Sequence, residues 1–290
     1  MKKKINLVED GIHLLFLLLG LVTVGCVLLI TGYLVVSGIP AIRQIGLKNF
    51  LFGTVWASTA AEPKYGILPF ILTSVAGTAG AMLLGVPVGM LTAVFLARLA
   101  PGSVKQVLGQ AVNVLAGIPS VVYGLVGMMV LVPGIRKLFH VPDGAGLLAA
   151  IVVLSVMILP SIIKMTVTAL EAVPKEYEDA SLALGATEEE TWFRVSLPAA
   201  KSGIAAAVVL GVGRAIGEAM AVMMVAGNAA NMPISLFTSV RFLTTAVASE
   251  MSYSGGLQRQ ALFSIALVLY LFIMLLNALL NFFLKGRKEK

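Results

Sequence analysis

One arginine and one glutamate stand four residues apart in GVGRAIGEAMAVMMVAGN, residues 211–228, where nearly every other side chain is apolar or small. On a continuous helix that spacing stacks Arg214 against Glu218 on one face. At 1.5 Å per residue from Lys201, Arg214 lies about 20 Å along the helix, which puts both charges in the middle to outer half of a bilayer. An arginine at the centre of a membrane helix costs about 2.5–3.5 kcal/mol, so intramembrane ionisable groups are functional candidates. The planar guanidinium matches a tetrahedral oxyanion bidentately. An ionised glutamate only accepts hydrogen bonds, so it suits an anion that carries a proton, as hydrogen phosphate does and sulfate does not. Two readings stand side by side: the pair lines or gates an anion path, or the two charges neutralise each other structurally. Ala207, Gly211, Ala215, Gly217 and Ala221 leave room beside the charges, and Gly213 with Gly217 has the small-x-x-x-small spacing of close helix approach.

The elements that must hold these charges are membrane helices. Of the 290 residues 59% are hydrophobic and only 12% charged, against about 45–50% and 25% in soluble domains. Six apolar stretches are long enough to cross the bilayer, near 13–37, 67–97, 104–132, 145–163, 201–228 and 260–284. The fold class expected is an all-α integral membrane bundle of six transmembrane helices. The first stretch follows Lys2, Lys3 and Lys4 but outruns a signal-peptide core, so it reads as a retained helix. The single cysteine, Cys26, excludes an intrachain disulfide framework. Lysines and arginines divide unevenly between the two sides. Lys2, Lys3, Lys4, Arg98, Lys105, Lys164, Lys175, Arg194, Lys201, Lys285, Arg287, Lys288 and Lys290 fall on one, and Arg43, Lys48, Lys64, Arg136, Lys137, Arg241 and Arg259 on the other. The positive-inside rule then puts both termini in the cytoplasm. It also accounts for most of the formal charge of +7 without nucleic-acid binding.

Three outer connections follow, near 38–66, at VPGIRKLFHVPDG and near 229–259. The third contains PISLFTSVRFLTTAVASEM, which reads as an interfacial or re-entrant helix buried against protein. Pro69, Pro87, Pro119 and Pro160 can kink the helices or merely mark packing irregularities. Between the fourth and fifth spans, EAVPKEYEDASLALGATEEETWFRVSLPAA reads as two short helices. Pro174 suits the first turn, Gly185 a C-terminal cap, and Thr187 with Glu190 a capping box. Tyr177, Ala180, Ser181 and Leu184 share a face. The segment is acidic (Glu171, Glu176, Glu178, Asp179, Glu188, Glu189 and Glu190 against Lys175 and Arg194), so anionic lipid repels it and a protein partner fits it better than a plain solvated face.

No G-x-x-x-x-G-K-[ST] occurs, so nothing here cradles nucleotide phosphates. SIIK at 161–164 with KSG at 201–203 has the look of a Ser-x-x-Lys hydrolase pair, but no S-D-N element accompanies it. With two histidines and one cysteine, the chain offers no convergent nucleophile, base or metal cluster for a membrane enzyme. A secondary transporter would show duplicated halves, and none is evident.

Asp179-Ala180-Ser181, Gly185, then Val195, Leu197 and Pro198 match the spacing of the Glu-Ala-Ala motif of ABC-importer permeases, with Asp179 and Ser181 departing in identity. YGILPF (65–70), LAGIPSVVYGLVG (115–127) and GRAIGEAMAVMMVAGN (213–228) resemble stretches of phosphate importer permeases of the PstC type, and the similarity spans about residues 65–284. Where relatives carry Gly-Thr after the Leu-Pro, this chain has Thr73-Ser74. The resemblance implies the type I importer membrane domain of MetI-like fold and a division into three parts. Residues 1–64 hold the tail, first helix and outer loop, residues 65–284 the permease core with coupling segment 171–198, and residues 285–290 a basic cytoplasmic tail. It implies that Glu178, Asp179, Ala180, Ser181, Gly185, Leu197 and Pro198 couple to an ATPase, and that Arg214 and Glu218 line a path or gate. The partners implied are a similar second permease subunit in a heterodimer, an ATPase dimer, an extracytoplasmic phosphate-binding protein and membrane lipid, with no nucleic acid. This chain would bind no cofactor and no metal, and the partner subunits would hydrolyse ATP. A permease for sulfate or molybdate is the nearest alternative.

Overall fold

The computed structural model describes residues 7–285; Lys2, Lys3, Lys4 and the basic tail beyond Lys285 lie outside the described residues. The chain is helical almost throughout. Helix α1 is Leu7–Ile45 and the short α2 is Leu47–Phe52. A two-residue hairpin of β1 (Trp56–Ala57) and β2 (Lys64–Tyr65) pairs antiparallel. Then come α3 (Leu68–Leu99), α4 (Gly102–Gly117), α5 (Ser120–Phe139) and α6 (Leu147–Glu171). Next are α7 (Lys175–Ala183), α8 (Glu188–Ala199), α9 (Lys201–Gly217) and α10 (Met220–Val225). Helices α11 (Leu243–Glu250) and α12 (Gly256–Lys285) complete the chain. Among the described residues five helices are long and apolar enough to cross a membrane, six where α8 and α9, bent by 70° at their break, count together as one span.

Helix α6 is the axis of the bundle. It packs against α3 on one side and α9 on the other, and Leu154, Met157, Ile158 and Ile162 are all but fully buried. Small residues set these approaches: a Cβ added at Gly203 would lie 2.4 Å from the Ala169 side chain, and one at Gly211 would lie 3.2 Å from Ile162. In contrast, Gly213 and Gly217 have nothing within 4 Å. The small-x-x-x-small pair therefore faces open space rather than a helix of this chain. Along α1, residues 11–30 are exposed on every side, as an apolar helix is when lipid surrounds it. Its outer half docks on α12, where Ser264 Oγ donates to the Gly38 carbonyl at 2.6 Å and Thr31 Oγ1 to Tyr270 at 2.9 Å.

Three expectations from the sequence are corrected. The third apolar stretch, 104–132, is not one helix: α4 stops at Gly117, and Ile118 is extended (φ −68°, ψ 126°) because the ring of Pro119 bars its helical conformation. The third span is instead α5, which continues through Arg136 and Lys137 to Phe139, so most of VPGIRKLFHVPDG is helix and the connection begins at His140. The fifth stretch breaks after Gly217, with Glu218 extended between α9 and α10. In the outer segment, residues before Phe242 are irregular and pair in a parallel bridge, Gly227 with Val240. Only Leu243–Glu250 is a helix, and Leu243, Thr244, Thr245, Ala246 and Glu250 on it are buried, as a re-entrant element requires.

Candidate functional site

The break at Glu218 rearranges the charges that the spacing had stacked. Arg214 sits in the last turn of α9, where a cation complements the helix dipole. Its Nη1 donates to Ser161 Oγ on α6 at 3.1 Å. Glu218 turns its carboxylate to the start of α10, where Oε1 accepts the Ala221 N–H at 3.0 Å. Among the described ion pairs none joins Arg214 to Glu218. Mutual neutralisation, one of the two readings of the sequence, therefore has no contact to rest on. The freed carbonyl of Glu218 accepts Thr244 Oγ1 from α11 at 2.7 Å, which meets the requirement that broken backbone at membrane depth be satisfied by protein. Thr245 Oγ1 accepts the Phe242 N–H at 2.9 Å, and Ser74 Oγ, from the Thr73-Ser74 departure, accepts the Leu243 N–H at 3.0 Å.

Arg214 is half-buried, with Gly213 and Gly217 open beside it. The arrangement offers a guanidinium with donors to spare and a neighbouring hydroxyl, beside two glycines with nothing packed on them. Tyr123 on α5 donates to the Leu115 carbonyl at 2.7 Å, satisfying the end of α4.

The acidic segment 171–198 folds as its sequence directs. Helix α7 starts after Pro174 and ends at Gly185, whose φ of +88° is the left-handed cap that costs glycine nothing. Thr187 and Glu190 form the reciprocal capping box. Tyr177, Asp179, Ala180, Leu182 and Leu184 on α7 are exposed, and Leu197 and Pro198 lie at the α8 end of the segment. Ser181 is turned inward, its hydroxyl 2.8 Å from that of Thr191, so this departure from the motif braces the two short helices against each other.

Glu178 is also turned inward. It pairs with Arg98 at the end of α3, and its Oε1 accepts Ser196 Oγ at 2.7 Å. Arg98 in turn donates to the Leu170 carbonyl of α6 at 2.8 Å. Glu178 thus ties α7 to two spans, leaving Asp179 as the exposed acid of the motif. Glu178→Gln is expected to cost about 1–3 kcal/mol by leaving Arg98 without its charged partner. A thermal-shift measurement on the purified assembly checks this, with Arg98→Ala in the same background showing less than additive loss.

The sequence reading missed one cluster at the end of the bundle opposite segment 171–198. The Glu250 carboxylate pairs with Arg241 and accepts Trp56 Nε1 at 3.2 Å, Ser58 Oγ at 3.4 Å and Gln258 Nε2 at 3.0 Å. Arg241 Nε donates to the Asn228 carbonyl at 2.8 Å, and the guanidinium lies 5.8 Å from the centre of the Phe70 ring. The signal available was a lone acid, Glu250, closing an otherwise uncharged run that opens on Arg241. Nearby, burial raises the Tyr65 phenol above its ordinary value.

Residues 85–288 match the family described as binding-protein-dependent transport system inner membrane component. The chain is 40% identical over 267 residues to the probable ABC transporter permease protein YqgH of Bacillus subtilis, covering 89% of this chain and 86% of that one. It is 34% identical over 277 residues to the phosphate transport system permease protein PstC of Haemophilus influenzae, covering 88% and 85%. Among solved structures, the inward-facing MetNI methionine ABC transporter superposes with a TM-score of 0.61 at 21% identity, over 76% of this chain and 95% of that chain, a likeness of fold. The bent helices, the inward-braced coupling segment and these matches agree: the chain belongs to the inner-membrane permease components of binding-protein-dependent ABC importers, a multi-pass transport subunit rather than an enzyme, which works with a separate ATPase and a substrate-binding protein.

Proposed function

We propose that this chain forms half of the translocation path for inorganic phosphate, with Arg214 at its mid-membrane station and the helix break at Glu218 as its gate. The observation that carries the reading is Arg214 itself. A guanidinium placed at bilayer depth, bonded to a serine hydroxyl and beside open space at Gly213 and Gly217, is a costly arrangement that a passing oxyanion offsets. The choice of phosphate draws support from relatives named as PstC phosphate permeases, at 33–34% identity over most of the chain. In this reading a similar second permease subunit supplies the other half of the path, and an ATPase dimer seats against the exposed face of α7 at Asp179, Ala180 and Leu184. A phosphate-binding protein delivers from outside, both termini are cytoplasmic, and this chain needs no cofactor of its own, ATP being hydrolysed by its partners.

Uptake of labelled phosphate by the reconstituted complex, driven by ATP, is expected to persist in a large excess of sulfate. Block by sulfate or molybdate would move the substrate to another oxyanion. ATP-independent uptake by this chain alone would overturn the reading.

A further inference from the structure

The SIIK motif, without a hydrolase partner in the sequence, lies under the Arg214 guanidinium. Ser161, Lys164 and Thr168 are spaced three and four residues apart on α6 and share one face. Ser161 is half-buried, while Lys164 and Thr168 are exposed. Three residues of helical rise set Lys164 about 4.5 Å beyond Ser161 toward the coupling helices. The acid at the end of α6, Glu171, is held by Lys105 at 2.8 Å, and among the described ion pairs none includes Lys164 or Arg214. One face therefore presents a guanidinium, a hydroxyl, an ammonium and a second hydroxyl in descending order, with neither cation paired to a carboxylate.

The state of the hydroxyl is informative. Ser155, two turns earlier on α6, donates back to the Ile151 carbonyl at 2.6 Å, the ordinary fate of a serine in a membrane helix. Ser161 accepts from Arg214, and among the described hydrogen bonds its own proton goes to no carbonyl. A hydroxyl that accepts from a cation and keeps its donor free is set to donate to an anion.

We propose that Ser161 and Lys164 continue the path from Arg214 as a relay toward the coupling-helix side of the membrane. The guanidinium holds two oxygens of a tetrahedral oxyanion while Ser161 Oγ donates to a third, and Lys164 receives the anion as it leaves. Arginine suits the holding step because its fork is rigid, and lysine suits the hand-over because it is a point charge on a flexible stem. This inference rests on the reading of the chain as half of an oxyanion path, but not on the anion being phosphate.

The test uses the complete importer in proteoliposomes, with labelled phosphate and, in parallel, labelled sulfate. Lys164→Gln is expected to lower uptake about tenfold, the loss of one charged contact, while ATP hydrolysis stimulated by the loaded binding protein keeps at least about half its rate, so that ions moved per ATP fall. Lys164→Arg is expected to restore most of that ratio, and Ser161→Ala to lower it about three- to tenfold. An unchanged ratio in Lys164→Gln would overturn the relay and leave Lys164 as a side chain that snorkels to lipid, as would an arginine variant no better than glutamine. If the wild type carries sulfate instead, the substrate reading fails, whereas the same loss of ions per ATP in Lys164→Gln still upholds the relay.

Discussion

On the proposed path Arg214→Gln is expected to reduce ATP-driven phosphate uptake by about a hundredfold or more, since two charge-assisted hydrogen bonds to an anion there would be worth about 1.5–3 kcal/mol each. The same substitution is not expected to destabilise the subunit. Taking a cation out of the bilayer removes an insertion cost of about 2.5–3.5 kcal/mol, and the partner left behind, Ser161, is a half-buried hydroxyl that can turn to the backbone. Function and stability therefore move in different directions, which separates a path residue from a structural one. Arg214→Lys keeps the charge but loses the fork, and is expected to fall between. The check is uptake normalised to assembled complex, with the thermal midpoint measured on the same preparation. Uptake within about twofold of wild type at equal assembly would show that the arginine meets no anion in the rate-determining step.

Legibility in the sequence followed the range of the interactions concerned. Gly185 as a cap and the Thr187–Glu190 box are local patterns, and each appears where the residues indicate, as do most of the apolar runs. The interruption of the third span was missed although its signal is local, since Pro119 restricts Ile118 whatever surrounds it. The break at Glu218 was not legible. No proline marks it, and it exists because Thr244, 26 residues away, takes the Glu218 carbonyl while the Glu218 carboxylate takes a backbone N–H of α10. With both groups of Glu218 engaged there, Arg214 turns to Ser161, 53 residues earlier in the chain. The inward turn of Glu178 depends on Arg98 at the end of another span. Position in the sequence identified the charged residues, but tertiary contacts chose their partners.

The Arg241–Glu250 cluster bears on the break at Glu218, and Glu250→Ala is expected to cost about 3–5 kcal/mol, the usual penalty for leaving one member of a buried ion pair alone. Glu250 is only 8% exposed and gathers donors from Arg241, Trp56, Ser58 and Gln258, so its loss strands a guanidinium and an indole N–H together. Replacing both Arg241 and Glu250 with methionine is expected to recover part of the loss, because it removes the stranded guanidinium, while the Trp56 N–H and the Asn228 carbonyl stay without their partners. Double-mutant analysis of thermal midpoints checks this; single variants within about 0.5 kcal/mol of wild type would show that the pair contributes no more than an ordinary surface contact. The functional consequence follows from the position of α11. Arg241 and Glu250 fix its two ends, and Thr244 in its first turn holds the Glu218 carbonyl at the break between α9 and α10. Loosening the clasp therefore loosens the hold on the Glu218 carbonyl at the break that follows Arg214. Glu250→Ala is expected to raise ATP hydrolysis without substrate relative to uptake, whereas the double methionine variant, which restores packing around α11, is expected to bring that ratio back toward wild type.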